Sequence, residues 1–285
     1  MSKVNQGPSI FIANNDAEAI AYVNRESGNS FTTINQALDW INTEGGYLVQ
    51  NRDYGNVVTQ DLALYLDAGI AASYPRGGTN WYDLSGNNFH MSLKNGVTYN
   101  PTDEVFELDG SDDYGVCDGT IANSTEATVT NMGIGGDSQK TVVCVAQVRS
   151  QGSTNAGLFD IGDTGLAGQH YCLRLRGTYT SYRAQFWSTP DYDFNYTGTN
   201  GFTFYSVVYG ADKIGRTYGN NATLLGSDGS AYDLVTAGSR PFEMGRYSGG
   251  SYFGGKVGAY LVYNRGLTTG EILQNYNALK SRFGL

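Results

Sequence analysis

Between Leu62 and Tyr263, apolar and polar positions recur with the period of two that belongs to a pleated strand. In "TVVCVAQVRS", Val142, Cys144, Ala146 and Val148 fall on one face; in "YCLRLRG", Tyr171, Leu173 and Leu175 fall on one face and Cys172, Arg174 and Arg176 on the other. "LALYLDAG", "YRAQFW", "FTFYSVVYG", "FEMGRY" and "GKVGAYLVYNR" continue the series, divided by turn formers such as Asn95-Gly96 and "GSDGS". Many short strands at close spacing predict a mainly β protein, a two-sheet antiparallel jelly-roll sandwich. The ends have a helical period instead. "LTTGEILQNYNALKSRFGL" offers a capping box at Thr268 and Glu271, with Ile272, Tyr276, Leu279 and Phe283 on one face of a C-terminal helix. "DAEAIAYVNRES" and "SFTTINQALDWINTEGG" predict two short helices before a strand "YLVQ", with Ile20 on the first and Ile34, Leu38 and Ile41 on one face of the second. The switch in period sets two units, a small α-containing segment over 1–57 and a sandwich over 58–285. The apolar faces of the first unit are too small for a core of their own, which makes Ile20, Ile34, Leu38 and Ile41 candidates for an assembly interface.

Composition strengthens the β assignment. Among 285 residues there are 39 Gly, 22 Tyr and 12 Phe, with 16% charged, the mixture expected of tight turns and half-buried pleated positions. With 18 Lys and Arg against 27 Asp and Glu the net charge is −9, which disfavours nucleic acid as a partner. The three cysteines, Cys117, Cys144 and Cys172, are odd in number and lack CxxC spacing, so they are expected as buried thiols rather than disulfides or zinc ligands. Neither a Sec-type leader nor an apolar run of membrane-spanning length is expected from the sequence. The sequons at Asn123, Asn195 and Asn221 carry no weight without a secretory route.

Four ordered blocks, "LALYLDAGIAASYP", "TNWYDLSGNNFHMSLKNGVTYN", "FELDGSDDY" and "FGGKVGAYLVYNRGLTTGEILQNYNALKSRFG", resemble the concanavalin A-like, laminin G-like jelly-roll domain of virion proteins from marine bacteriophages, cyanophages among them. The resemblance spans roughly residues 60 to 285 and departs from the family at Phe89-His90-Met91, where small residues are usual, and in the long segment before Asp61. It implies a virion location and a non-enzymatic structural protein, a capsid decoration or tail-fibre head. Residues 1–57 would then anchor it to other virion proteins or sister subunits. It also implies that "NWYDLSGNNFH" is a structural corner. There Asp83 would bond turn amides, Gly86 and Asn87 would supply positive φ, and Trp81 would plug the sandwich end.

Three chemistries compete with that reading. Glu107, Asp109 and Asp112 form E-x-D-x-x-D, close to the paired carboxylates of a polysaccharide hydrolase, but Gly110-Ser111 predicts a turn that breaks the strand before Asp112. No cofactor is expected unless calcium binds among Asp109, Asp112, Asp113, Asp160 and Asp163, which fall near strand ends. Carbohydrate binding has the better handle, and a host-surface carbohydrate-binding adhesin is the alternative function. In "WSTPDYDFNYTGTNG", Trp187, Tyr192 and Tyr196 could cover a sugar face while Asp193 bonds its hydroxyls.

Overall fold

The computed structural model describes residues 10–13, 20, 21, 23, 24, 27–32, 36, 37, 40, 47–50, 57–186, 191–196 and 201–285. Two antiparallel sheets form the sandwich. The eight-stranded sheet runs Tyr192–Asn195, Ser181–Gln185, His170–Leu175, Gly157–Gly162, Glu243–Met244, Tyr114–Val116, Met91–Lys94 and Asn80–Trp81. The nine-stranded sheet is organised around two 13-residue strands, Lys140–Gly152 and Ser251–Tyr263, which pair with each other. On its other side Ser251–Tyr263 takes two partners in turn, Leu62–Asp67 against residues 259–263 and Val105–Asp109 against residues 254–257.

The alternation along these strands sorts side chains into two cores. Val142, Cys144, Ala146, Phe106, Leu108, Val257 and Tyr260 face the opposite sheet, where they meet Tyr171, Leu173, Leu175, Tyr182 and Ala184. The intervening residues Val143, Val145, Val105, Phe204, Leu261 and Tyr263 face outward, and Ile272, Tyr276, Leu279 and Phe283 of the helix Thr269–Phe283 cover them. The predicted capping box is present: Thr268 Oγ1 accepts the Glu271 N–H and Glu271 reaches back to the Thr268 N–H. Gly258 lets the helix approach, since a Cβ there would lie 2.2 Å from the Phe283 ring. The three cysteines are buried and free. Among the described residues, no helix is long and apolar enough to cross a membrane.

The segment Asn80–His90 is a hydrogen-bonded corner. Asp83 Oδ1 accepts the N–H groups of Tyr65 and Ser85 at 2.9 Å each, and Oδ2 accepts the Phe89 N–H at 3.1 Å. His90 Nδ1 accepts the Asp83 N–H at 3.0 Å, and burial holds this imidazole below its usual pKa. Trp81 is fully buried edge-on against Phe106. The positive φ falls at Gly86 and Asn88, not at Asn87, whose amide instead donates to Ala63 O at 2.9 Å.

In the N-terminal segment, Ile10–Ala13 and Tyr47–Gln50 pair in parallel as a two-stranded sheet separate from the sandwich. Parallel strands need a crossover connection, and Ile20 and Ala37 between them are helical. Ile20 is half-buried. Ile34, Leu38 and Ile41 lie outside the described residues.

Candidate functional site

The C-terminal helix covers only part of the outer face of the nine-stranded sheet. On Lys140–Gly152 the outward positions are apolar at Val143 and Val145, under the helix, and turn polar at Arg149 and Gln151. On Val105–Asp109 they are Val105, Glu107 and Asp109. Where these polar ends meet there is a cleft of about 390 Å³, lined also by Asn95, Thr98, Leu108 and Asp113. Its size falls in the range of small-ligand sites. The strands come together beside it through glycines. A Cβ on Gly110, at φ 81°, would lie 2.5 Å from Gly152 Cα, and one on Gly152, at φ 78°, would lie 3.0 Å from Gly254 N.

The polar groups in the cleft are fixed by one another. Glu107 Oε1 accepts from Asn100 Nδ2 at 2.8 Å and lies 3.3 Å from both Arg149 Nη2 and Lys256 Nζ. The Asn100 hydrogen bond, with Lys256 and Arg149, holds the Glu107 carboxyl below its usual pKa, so it stays an ionised acceptor at neutral pH. Asp109 Oδ1 accepts the Ser111 N–H at 2.7 Å, the chief cause of its lowered pKa. Asp113 Oδ2 accepts the Asp109 N–H at 2.9 Å, while burial pushes the Asp113 carboxyl up. Asn95 Nδ2 donates to Asp112 O at 2.9 Å and Gln151 Nε2 to Leu108 O at 3.4 Å.

The turn expected at Gly110-Ser111 is there, and it changes which acids matter. Glu107 and Asp109 share the outward face as the alternation requires, whereas Asp112 is exposed and Asp113 lines the cleft in its place. Of the calcium candidates, the structure gathers Asp109, Asp112 and Asp113, whose carboxylates come within 4.8 Å of one another. Calcium takes six to eight oxygens, so three carboxylates are a partial donor set. Asp160 is elsewhere, buried on His170 Nε2 at 2.5 Å and on the Ser248 N–H at 2.6 Å. Arg149, Gln151 and Thr98 were not singled out from the sequence, and Asn95 was read only as a turn former. The apolar-to-polar change along Val143, Val145, Arg149 and Gln151 was the available signal.

The aromatic segment corrects an expectation. Residues 192–195 form an edge strand on which Tyr192 and Phe194 point into the core and Asp193 and Asn195 point out. Tyr192 is 7% exposed and its hydroxyl pairs with Thr217 Oγ1 at 2.8 Å, so this ring has no face for a sugar. Tyr196 is half-buried, edge-on to Tyr205. Asp193 is exposed but engaged by Arg183 through Nε at 2.6 Å and Nη2 at 2.9 Å. Trp187 lies outside the described residues.

No family model matches the chain, and no curated protein matches it. Solved structures do. A Trypanosoma rangeli sialidase in complex with sialic acid aligns at 17% identity and TM-score 0.55, over 79% of this chain and 34% of the sialidase. The binding domain of Botulinum Neurotoxin DC in complex with SialylT aligns at 12% identity and TM-score 0.54, over 78% of this chain and 52% of the toxin domain. The binding domain of botulinum neurotoxin serotype D aligns at 15% identity and TM-score 0.55, over 78% and 53%. The chain therefore spans about a third of the sialidase and about half of the toxin domains it matches. At such identities the likeness is one of fold, a β-sandwich. It corrects the expectation of a non-enzymatic protein, because the same sandwich is matched within sialidases, which are enzymes.

Proposed function

We propose that the chain is a carbohydrate-binding β-sandwich protein whose binding groups are those of the cleft beside Glu107. The supporting observation is the convergence, in about 390 Å³, of an ionised acceptor at Glu107, a guanidinium at Arg149, amides at Asn95 and Gln151 and a hydroxyl at Thr98. A sugar presents hydroxyls that both donate and accept, and such a mixed set on strand ends can meet them at fixed geometry. The matched sialidase and toxin domain, in complexes with sialic acid and SialylT, lend support from fold analogy. A glycan array tests the assignment with the parent and Glu107→Gln. The variant keeps the acceptor for Asn100 but loses the charge that orients Arg149. Expected is array binding by the parent that drops about tenfold or more in the variant at unchanged melting temperature. A parent that binds no glycan would refute it.

The separate two-stranded sheet of Ile10–Ala13 and Tyr47–Gln50 favours a second proposal, that residues 1–57 attach the sandwich to a larger assembly, a phage virion on the block resemblance. A chain beginning at Val58 should then keep the sandwich and lose incorporation; normal incorporation would defeat the proposal.

A further inference from the structure

Charge divides the sugars the cleft can take. Its lining sets three carboxylates, Glu107, Asp109 and Asp113, against one guanidinium, Arg149. Arg149 is committed to Glu107 at 3.3 Å, and Lys256 Nζ lies 3.3 Å from the same carboxylate. Glu107 is thus compensated. Asp109 and Asp113 are held by backbone amides instead, Asp109 by the Ser111 N–H and Asp113 by the Asp109 N–H. Asp112 adds a fourth carboxylate, within 4.8 Å of those of Asp109 and Asp113, and Asp109 and Asp112 are exposed, so the negative field opens outward from the cavity. The whole chain, at −9, has the same sign.

We infer that the ligand of this cleft is an amino sugar, a glycan whose free amine is protonated and seats against Asp109 with Asp113 behind it, and that carboxylate-bearing sugars are rejected. This rests on the proposed function and narrows it. An ammonium has three N–H donors and no acceptor, and carboxylates are acceptors only, so the two are complementary in both charge and hydrogen bonding. A sugar carboxylate would meet like charges with the one cleft guanidinium already engaged, which is discrimination by repulsion. The sugar's remaining hydroxyls have Asn95, Gln151 and Thr98 as partners in the same cavity.

Isothermal titration with three trisaccharides tests the inference: tri-glucosamine, its fully N-acetylated form and sialyllactose, each in EDTA at fixed salt. Tri-glucosamine should bind at least about tenfold tighter than the acetylated form, with sialyllactose weakest. In Asp109→Asn, with folding checked by melting temperature, the amine-to-acetyl ratio should collapse toward one. An undiminished ratio in that variant would assign the preference to overall charge and overturn the inference. Sialyllactose binding as tightly as tri-glucosamine would overturn it while leaving the cleft a carbohydrate site. So would binding that appears only when calcium replaces EDTA, because Asp109, Asp112 and Asp113 would then face an ion. Failure of all three sugars, with and without calcium, would overturn the inference, and a silent glycan array beside it would remove the carbohydrate assignment itself.

Discussion

Lys140 is fully buried, and its Nζ is bonded to neutral groups: it donates to Gly136 O at 2.9 Å and Thr236 Oγ1 at 2.8 Å, with the Tyr209 and Tyr171 ring centroids 5.5 and 6.0 Å away. Burial pushes its pKa down to about 7, against an ordinary 10.5. Between these values the unfolded chain binds more protons than the native one, so Lys140 makes stability rise with pH across that window. The destabilisation is fully present below about 7 and gone above about 10.5. Unfolding free energies from urea titrations at successive pH values should therefore rise for the parent relative to Lys140→Met, by at most about 1.4 kcal/mol per pH unit. Parallel curves would show that the amine is not buried in this way. Tyr192 carries the second residue-scale expectation. As a core ring, its truncation to Ala should cost about 3–5 kcal/mol, and Tyr192→Phe, which deletes only the bond to Thr217, about 1 kcal/mol. Asp193→Ala, at an exposed ion pair, should cost less than about 1 kcal/mol. Denaturant titration of the three variants separates these outcomes. The position of Tyr192 was legible in principle, since Tyr192, Asp193, Phe194 and Asn195 alternate. The Asp, Asn, Thr and Gly around them imitate a loop, and that density masked the period of two.

At the scale of elements, the helix and the strand beneath it test each other. Gly258 is where Ser251–Tyr263 passes under Phe283, and a methyl added there would drive into the ring. Gly258→Ala should cost about 1–3 kcal/mol as overpacking. Combined with Phe283→Ala, which empties the contested space, the same change should cost markedly less. A strictly additive double-mutant cycle would separate the two residues. Elements were the most legible level of this sequence, because each has a local cause. The capping box at Thr268 and Glu271 starts the helix, Gly284 ends it in the left-handed region at φ 65°, and the Asn95-Gly96 turn has positive φ at both residues. The cleft was less legible. Glu107 and Asp109 show in the alternation of one strand, but Arg149 and Gln151 reach them only because both strands pair with Ser251–Tyr263, which brings residues about 40 positions apart together, as in the Arg149–Glu107 pair. Nothing local encodes that pairing.

For the whole molecule, the division of one sheet face organises the account. The outer face of the nine-stranded sheet is apolar where the C-terminal helix lies on it and polar where the strand ends form the cleft. The glycine junction at Gly110, Gly152 and Gly254 brings together the strands that carry the binding groups, so the cleft is preorganised by rigid elements. Chemical-shift mapping tests this most directly. The ¹⁵N-labelled protein is titrated with the tightest-binding glycan from the array, and backbone and side-chain amide shifts are followed across both sheets. The account predicts that shifts cluster at Asn95, Thr98, Asp109, Arg149 and Gln151, with little change at Arg183, Asp193 and the eight-stranded face. Shifts confined to Arg183, Asp193 and Tyr196, with the cleft silent, would contradict it.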